Sequence, residues 1–201
     1  KANPKYGSEK KGQPTNFYAT LAPEPIRLNA ELKHVNVVLS PDPNVFKNGD
    51  ALAGLADDGV FVIQSEISPE ELWTSFPAEA RHAIQGKRIK VYMLDGFKIA
   101  SEEASDPDLR YRMQGAAFMG AFFAVSSLME QHDLSEVALF EGIEALMQKK
   151  FGGRGERVVQ DNVRVIRRGF DEIVEVPIGE VPDFEVAEAA LPQIPISLDN
   201  P

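Results

Sequence analysis

The sequence predicts an α/β protein: an open, mainly parallel sheet with flanking helices, a helical C-terminal part and an extended proline-rich arm. Three observations carry this. Short apolar runs bounded by turn residues alternate with helical stretches between residues 35 and 94, the pattern of parallel strands joined by crossover helices. Three longer helical patterns follow between residues 107 and 172. Residues 177–201 then carry five prolines and little periodicity.

The elements follow in chain order. Residues 1–16 are rich in Lys, Gly, Pro and Asn and read as a loop; Asn16–Leu21 and Pro25–Leu28 read as short extended pieces. Val35–Leu39 is the first strong strand. It stops at Ser40-Pro41-Asp42-Pro43, where two prolines remove amide donors and force an extended turn. A short helix is expected over Asn48–Ala56, ending at Asp57-Asp58-Gly59, with a second strand at Val60–Ile63. Ser68-Pro69-Glu70-Glu71 is a helix start: Ser as N-cap, Pro in the first turn, Glu at the third position. Two short helices fit between 69 and 85, and Ile89–Leu94 is the third strand.

Residues 107–129 form the longest apolar helical pattern, with Leu109, Met113, Ala116, Ala117 and Gly120 at three- and four-residue spacing. Gly115, Ala116, Gly120 and Ala121 are small enough to admit a neighbouring backbone. A helix over Ser135–Lys150 takes Ser135 as its cap and ends at Phe151-Gly152-Gly153, with Lys149 and Lys150 where the helix dipole favours cations. Another covers 155–172. The domain is expected to span 1–176, with 177–201 as a linker or arm.

Composition excludes several functions. The chain has 201 residues, is 43% hydrophobic and carries a net charge of −10. That charge argues against a general nucleic-acid binder. With no cysteine, the chain has no disulfide, no thiolate zinc site and no iron–sulfur ligand of its own. No apolar run reaches the roughly 18 residues of a membrane span, and a cytoplasmic setting is expected. The three histidines, His34, His82 and His132, are not at metal-ligand spacing. Gly152-Gly153-Arg154-Gly155 follows a helix, so it suits a helix–helix turn better than a dinucleotide loop.

Two features remain as candidates. Tyr6-Gly7-Ser8-Glu9-Lys10-Lys11-Gly12 places two lysines and two glycines in one loop of an acidic protein. Such a loop either holds an anion through ammonium groups and free amides or is a solvated surface loop. The second feature is the set of strand ends at Ser40-Pro41-Asp42, Gln64-Ser65 and Asp95-Gly96-Phe97-Lys98. These should lie on one edge, where ligands gather in open parallel sheets; Asp95 as a helix N-cap is the alternative there.

Several strings resemble the gamma domain of the 2-oxoacid (pyruvate-type):ferredoxin/flavodoxin oxidoreductases. They are Gly59-Val60-Phe61-Val62-Ile63-Gln64-Ser65 with Glu70-Glu71-Leu72-Trp73, and Lys90-Val91-Tyr92-Met93-Leu94-Asp95-Gly96-Phe97-Lys98. They continue with Met113-Gln114, Ala121-Phe122-Phe123, Phe151-Gly152 and Gly155-Glu156-Arg157-Val158-Val159 with Asn162. Ser8-Glu9-Lys10-Lys11-Gly12 is similar to the family's basic loop, with Gln13 where the family has a second glycine. The resemblance implies an assembly that oxidatively decarboxylates a 2-oxoacid to acyl-CoA. It implies thiamine diphosphate, Mg and [4Fe-4S] clusters held in alpha and beta subunits or domains, and ferredoxin or flavodoxin as electron acceptor. It also implies no independent active site in this chain and makes Ser8, Lys10, Lys11 and Gly12 candidate contacts to coenzyme A. The family's glycine-rich opening strand does not precede this loop, so residues ahead of Lys1 are expected. A non-catalytic α/β module that docks a partner protein is the competing reading.

Overall fold

A computed structural model describes residues 2–5, 16–27 and 32–181. The lysine loop and residues 182–201 lie outside them. β1 (Ala2–Lys5) and β2 (Asn16–Ala19) pair antiparallel with each other, so part of the segment read as loop is a strand. The main sheet has the order β3-β4-β5-β6. β3 (Val35–Ser40), β4 (Leu55–Gln64) and β5 (Lys90–Leu94) are parallel, as expected. β6 (Val174–Glu175) adds an antiparallel edge that the sequence pattern did not announce, being only two residues long.

The centre of β4 explains the layering. Phe61, Val62 and Ile63 are at most 1% exposed, so both faces of the strand are covered. Phe61 and Ile63 pack with Leu72, Trp73, Phe76 and Ile84. Val62 points the other way, into Ile99, Ala117, Phe118 and Val165. α2 (Pro69–Ser75) and α3 (Ala78–Gly86) therefore cover one face, while α4 (Gly96–Glu103), α5 (Gln114–Val125) and α8 (Glu156–Asp171) cover the other. α7 (Glu136–Phe151) stacks outside α8 through Leu139, Phe140, Ile143 and Met147. The expected Gly152–Arg154 turn links α7 to α8.

Two expected helices differ. Asn48–Ala56 is not a helix: α1 is Val45–Asn48, residues 51–54 turn, and β4 already starts at Leu55. Asp50 is the reason, because its carboxylate accepts the Leu52 amide at 2.9 Å and closes a local turn. Asp57-Asp58-Gly59 then bulges inside β4, with Asp58 at φ +57° and paired to Arg88 through two bonds of 2.8 and 2.7 Å. The Arg88 guanidinium, first by hydrogen bonding, holds the Asp58 carboxyl below its ordinary range.

The 107–129 helix is shorter than its apolar pattern. Asp106 accepts the Asp108 amide and sets a tight 3-10 turn at Pro107–Leu109, so α5 starts only at Gln114. Ser126 turns extended (φ −81°, ψ 148°) and separates α5 from α6 (Leu128–Gln131). The close approach read from the small residues is present at Gly120, which meets the α8 backbone, whereas Gly115 faces open space.

α4 is tied to α8 by charge. Glu103 accepts Arg164 Nε at 2.8 Å and Arg168 Nη1 at 3.1 Å. Asp161, 1% exposed, accepts the Ser105 amide at 2.9 Å, the Ser105 hydroxyl at 3.0 Å and the Arg164 guanidinium. Burial opposes ionisation of Asp161, but these hydrogen bonds together hold its carboxyl below the ordinary value.

Candidate functional site

The three strand ends named from the sequence do meet on one edge. Their meeting point is a buried amide relay. Gln64, the last residue of β4, donates its Nε2 to Asp95 Oδ1 at 3.0 Å. Its Oε1 accepts the Gly96 amide at 2.9 Å and Gln114 Nε2 at 3.3 Å. Gln114 Nε2 also donates to the Pro41 carbonyl at 3.0 Å, which fixes the end of β3. Ser65 continues the edge, its amide bonded to the Leu94 carbonyl at 3.2 Å. Gln64 is 1% exposed and Gln114 9%, so the bond between them and the Gly96 bond form away from water, while those to Asp95 and the Pro41 carbonyl are part-buried.

Asp95 takes the N-cap role. Its Oδ1 accepts the Lys98 amide at 3.0 Å as well as the Gln64 bond, which starts α4 directly after β5. The cap turns Phe97 and Lys98 outward into an open cleft of about 680 Å³ with Glu66, Ser101, Arg110 and Tyr111. Phe97 and Tyr111 meet edge to face, with centroids 6.3 Å apart. Tyr111 is nevertheless 82% exposed. The cleft offers two ammonium or guanidinium groups, two carboxylates and an aromatic pair. Its Asp95 carboxylate is engaged as a cap, and no histidine lines the cleft.

The sequence reading singled out Gln64, Asp95, Phe97 and Lys98 and missed the role of Gln114, Arg110 and Tyr111. The signal for the last two was Arg110-Tyr111-Arg112, a basic-aromatic run in an acidic chain directly after a proline turn. Gln114 carried a weaker one, an amide at the start of an otherwise apolar helix. Ser8, Lys10, Lys11 and Gly12 lie outside the described residues. Among the described residues, no group of three or more His, Asp or Glu is placed to hold a metal ion. No described helix is long and apolar enough to cross a membrane.

The architecture is that of a solved α/β subunit. It resembles the crystal structure of pyruvate oxidoreductase subunit PORC from Thermotoga maritima with a TM-score of 0.56 at 20% identity, covering 88% of this chain and 81% of that one. Residues 1–172 match the family described as pyruvate ferredoxin/flavodoxin oxidoreductase, and the chain belongs to that family. A common subunit gamma of pyruvate/ketoisovalerate oxidoreductases from Pyrococcus furiosus is 26% identical over 172 residues, covering 85% of this chain and 79% of the relative. A pyruvate-flavodoxin oxidoreductase from Trichormus variabilis is 25% identical over 190 residues, 94% of this chain. The chain spans only 14% of that relative's length.

Proposed function

We propose that this chain is the gamma-type part of a 2-oxoacid:ferredoxin or flavodoxin oxidoreductase, an assembly that oxidatively decarboxylates a 2-oxoacid to acyl-CoA. The observation that carries this is the family match across residues 1–172. The size correspondence with a relative named as a gamma subunit supports it. Domain 1–176 is the gamma unit and 177–201 its linker or arm, in a cytoplasmic enzyme.

The assembly's thiamine diphosphate, Mg and [4Fe-4S] clusters are assigned here to its other parts. The chain has no cysteine to ligate a cluster, and the described residues hold no group of three or more His, Asp or Glu placed to bind a metal ion. On this reading these groups belong to the alpha and beta parts of the assembly. This chain's own work is assembly, and contact with coenzyme A through Ser8, Lys10, Lys11 and Gly12. Two ammonium groups beside glycine amides suit the phosphates of that ligand.

The test is an assay of the intact assembly for CoA-dependent, dye-linked oxidation of a panel of 2-oxoacids. No turnover with any of them would sink the enzyme reading. The loop has a separate test. Lys10→Ala with Lys11→Ala should raise KM for CoA with kcat little changed, because the lost contacts are made in ground and transition state alike. An unchanged KM would leave the loop a structural seat only.

A further inference from the structure

We propose that Asn48 is a site of spontaneous deamidation and that the change loosens the 41–48 loop that follows β3; the two Asp-Gly pairs, which can only isomerise through the same cyclic imide, are both restrained by the structure. The described residues hold three Asx-Gly pairs: Asn48-Gly49, Asp58-Gly59 and Asp95-Gly96. In each, one bond from the glycine nitrogen to the preceding side-chain carbonyl carbon would close a five-membered ring. Glycine favours closure because it lacks a β-carbon to obstruct it. Closure needs a glycine nitrogen free of hydrogen bonds, a carbonyl carbon free to swing, and room.

Two of the pairs lack these conditions. The Gly96 amide donates to Gln64 Oε1 at 2.9 Å, and the Asp95 carboxylate is held by Gln64 and the Lys98 amide. Asp58 has both carboxylate oxygens bound to Arg88, and Gly59 is enclosed, with a β-carbon there falling 2.7 Å from Leu55 Cδ1.

Asn48-Gly49 meets all of them. Both residues are exposed, and no atom stands within 4 Å of the β-carbon position of Gly49. Asn48 ends the four-residue α1, where the next residue turns extended (φ 166°, ψ −171°). The amide of Gly49 makes no bond back into its helix, whereas the capping amides of α2 through α8 all do. The single restraint on the side chain is an exposed bond from Nδ2 to Asp42 Oδ2 at 3.2 Å.

The step balances without an oxidant or enzyme. The Gly49 nitrogen gives up its proton and attacks Asn48 Cγ. The Cγ–Nδ2 bond breaks and ammonia leaves with that proton, forming a succinimide. Water then opens either carbonyl, giving aspartate or isoaspartate at 48. The product replaces a donor to Asp42 with a second carboxylate, so a hydrogen bond becomes a like-charge contact. Asp42 also accepts the Asn44 amide at 2.8 Å, so the contact that weakens is the one folding the 41–48 loop beside Pro41.

The full chain should be held at physiological temperature and digested at intervals. Expected are loss of ammonia and appearance of isoaspartate in the Asn48 peptide first, with the Asp58 and Asp95 peptides unchanged over the same interval. Gly49→Ala should slow that loss. Asn48→Asp should speed amide hydrogen exchange across residues 42–50 without changing exchange in β4. Conversion at Asp58 or Asp95 before Asn48, or an equal rate in Gly49→Ala, would overturn the assignment. Unchanged exchange in Asn48→Asp would overturn the structural consequence.

Discussion

Gly120 of α5 and Gly169 of α8 mark a crossing where backbone lies against backbone. A β-carbon added at Gly120 would overlap the Ile166 carbonyl oxygen and stand 2.7 Å from the Phe170 nitrogen; one added at Gly169 would overlap the Ala117 carbonyl. The contact brings Ala117 and Val165 into the same fully buried cluster as Val62 of β4. It therefore sets how close the α5–α8 layer comes to the sheet.

Gly120→Ala and Gly169→Ala should each destabilise the fold by about 3 kcal/mol or more, because the atoms that must move are backbone and cannot swing aside. Gly115→Ala is the control. It lies in the same helix with nothing near its β-carbon position, so removing a glycine there should stabilise by about 0.5–1 kcal/mol. Urea unfolding followed by circular dichroism separates the cases. Equal midpoints for all three variants would show that the crossing is not tight.

Gln114→Leu should cost about 1–3 kcal/mol. The loss leaves the Pro41 carbonyl without its 3.0 Å donor at a part-buried position and removes one of the two donors to the buried Gln64 Oε1. Hydrogen exchange should quicken at the end of β3 and leave β5 unchanged. A variant as stable as the parent would mean that water takes over these bonds.

The helix start at Ser68 is a smaller term with a clean reading. Its hydroxyl accepts the Glu71 amide at 3.3 Å while Glu71 Oε2 accepts the Ser68 amide at 3.1 Å. Ser68→Ala should lower stability by about 1 kcal/mol, read as a shifted urea midpoint with an unchanged slope.

What the sequence disclosed divides along physical lines. Ser68, Ser135 and the strands ending at Leu39, Ile63 and Leu94 act through neighbours in the chain, and their signals are local. The edge at Gln64, Asp95 and Pro41 was legible because strand direction follows from alternation with helices, even though its bonds span 31 to 73 positions. Asn48–Ala56 misled because Ala and Leu favour a helix while one carboxylate, Asp50, closes a turn instead. The apolar pattern of 107–129 hid a break at Ser126, since burial by two layers makes every side of a helix apolar and erases its boundaries. The pairing of Gln114 with Gln64 left no trace, because an amide's partner across 50 positions has no spacing rule.

Asp161 should give the fold an acid limit. Its folded-state pKa lies below the ordinary 3.8, so the unfolded chain takes up its proton first as pH falls. The stabilisation is complete above that ordinary value and is lost as pH drops through the depressed folded one. Glu103, lowered from 4.5 first by its bond to Arg164, acts in the same direction. Stability should therefore decline below about pH 5. Asp161→Asn keeps the size of the side chain but removes the charge. It also sets an amide NH2 against either the Ser105 amide or the Arg164 guanidinium, both of which are donors. It should cost about 1.5–3 kcal/mol at neutral pH and flatten the dependence of stability on pH in the acid range. Urea midpoints collected from neutral pH down to the acid limit test both parts. A variant that loses stability at neutral pH yet keeps the parent's acid slope would place the titrating group elsewhere.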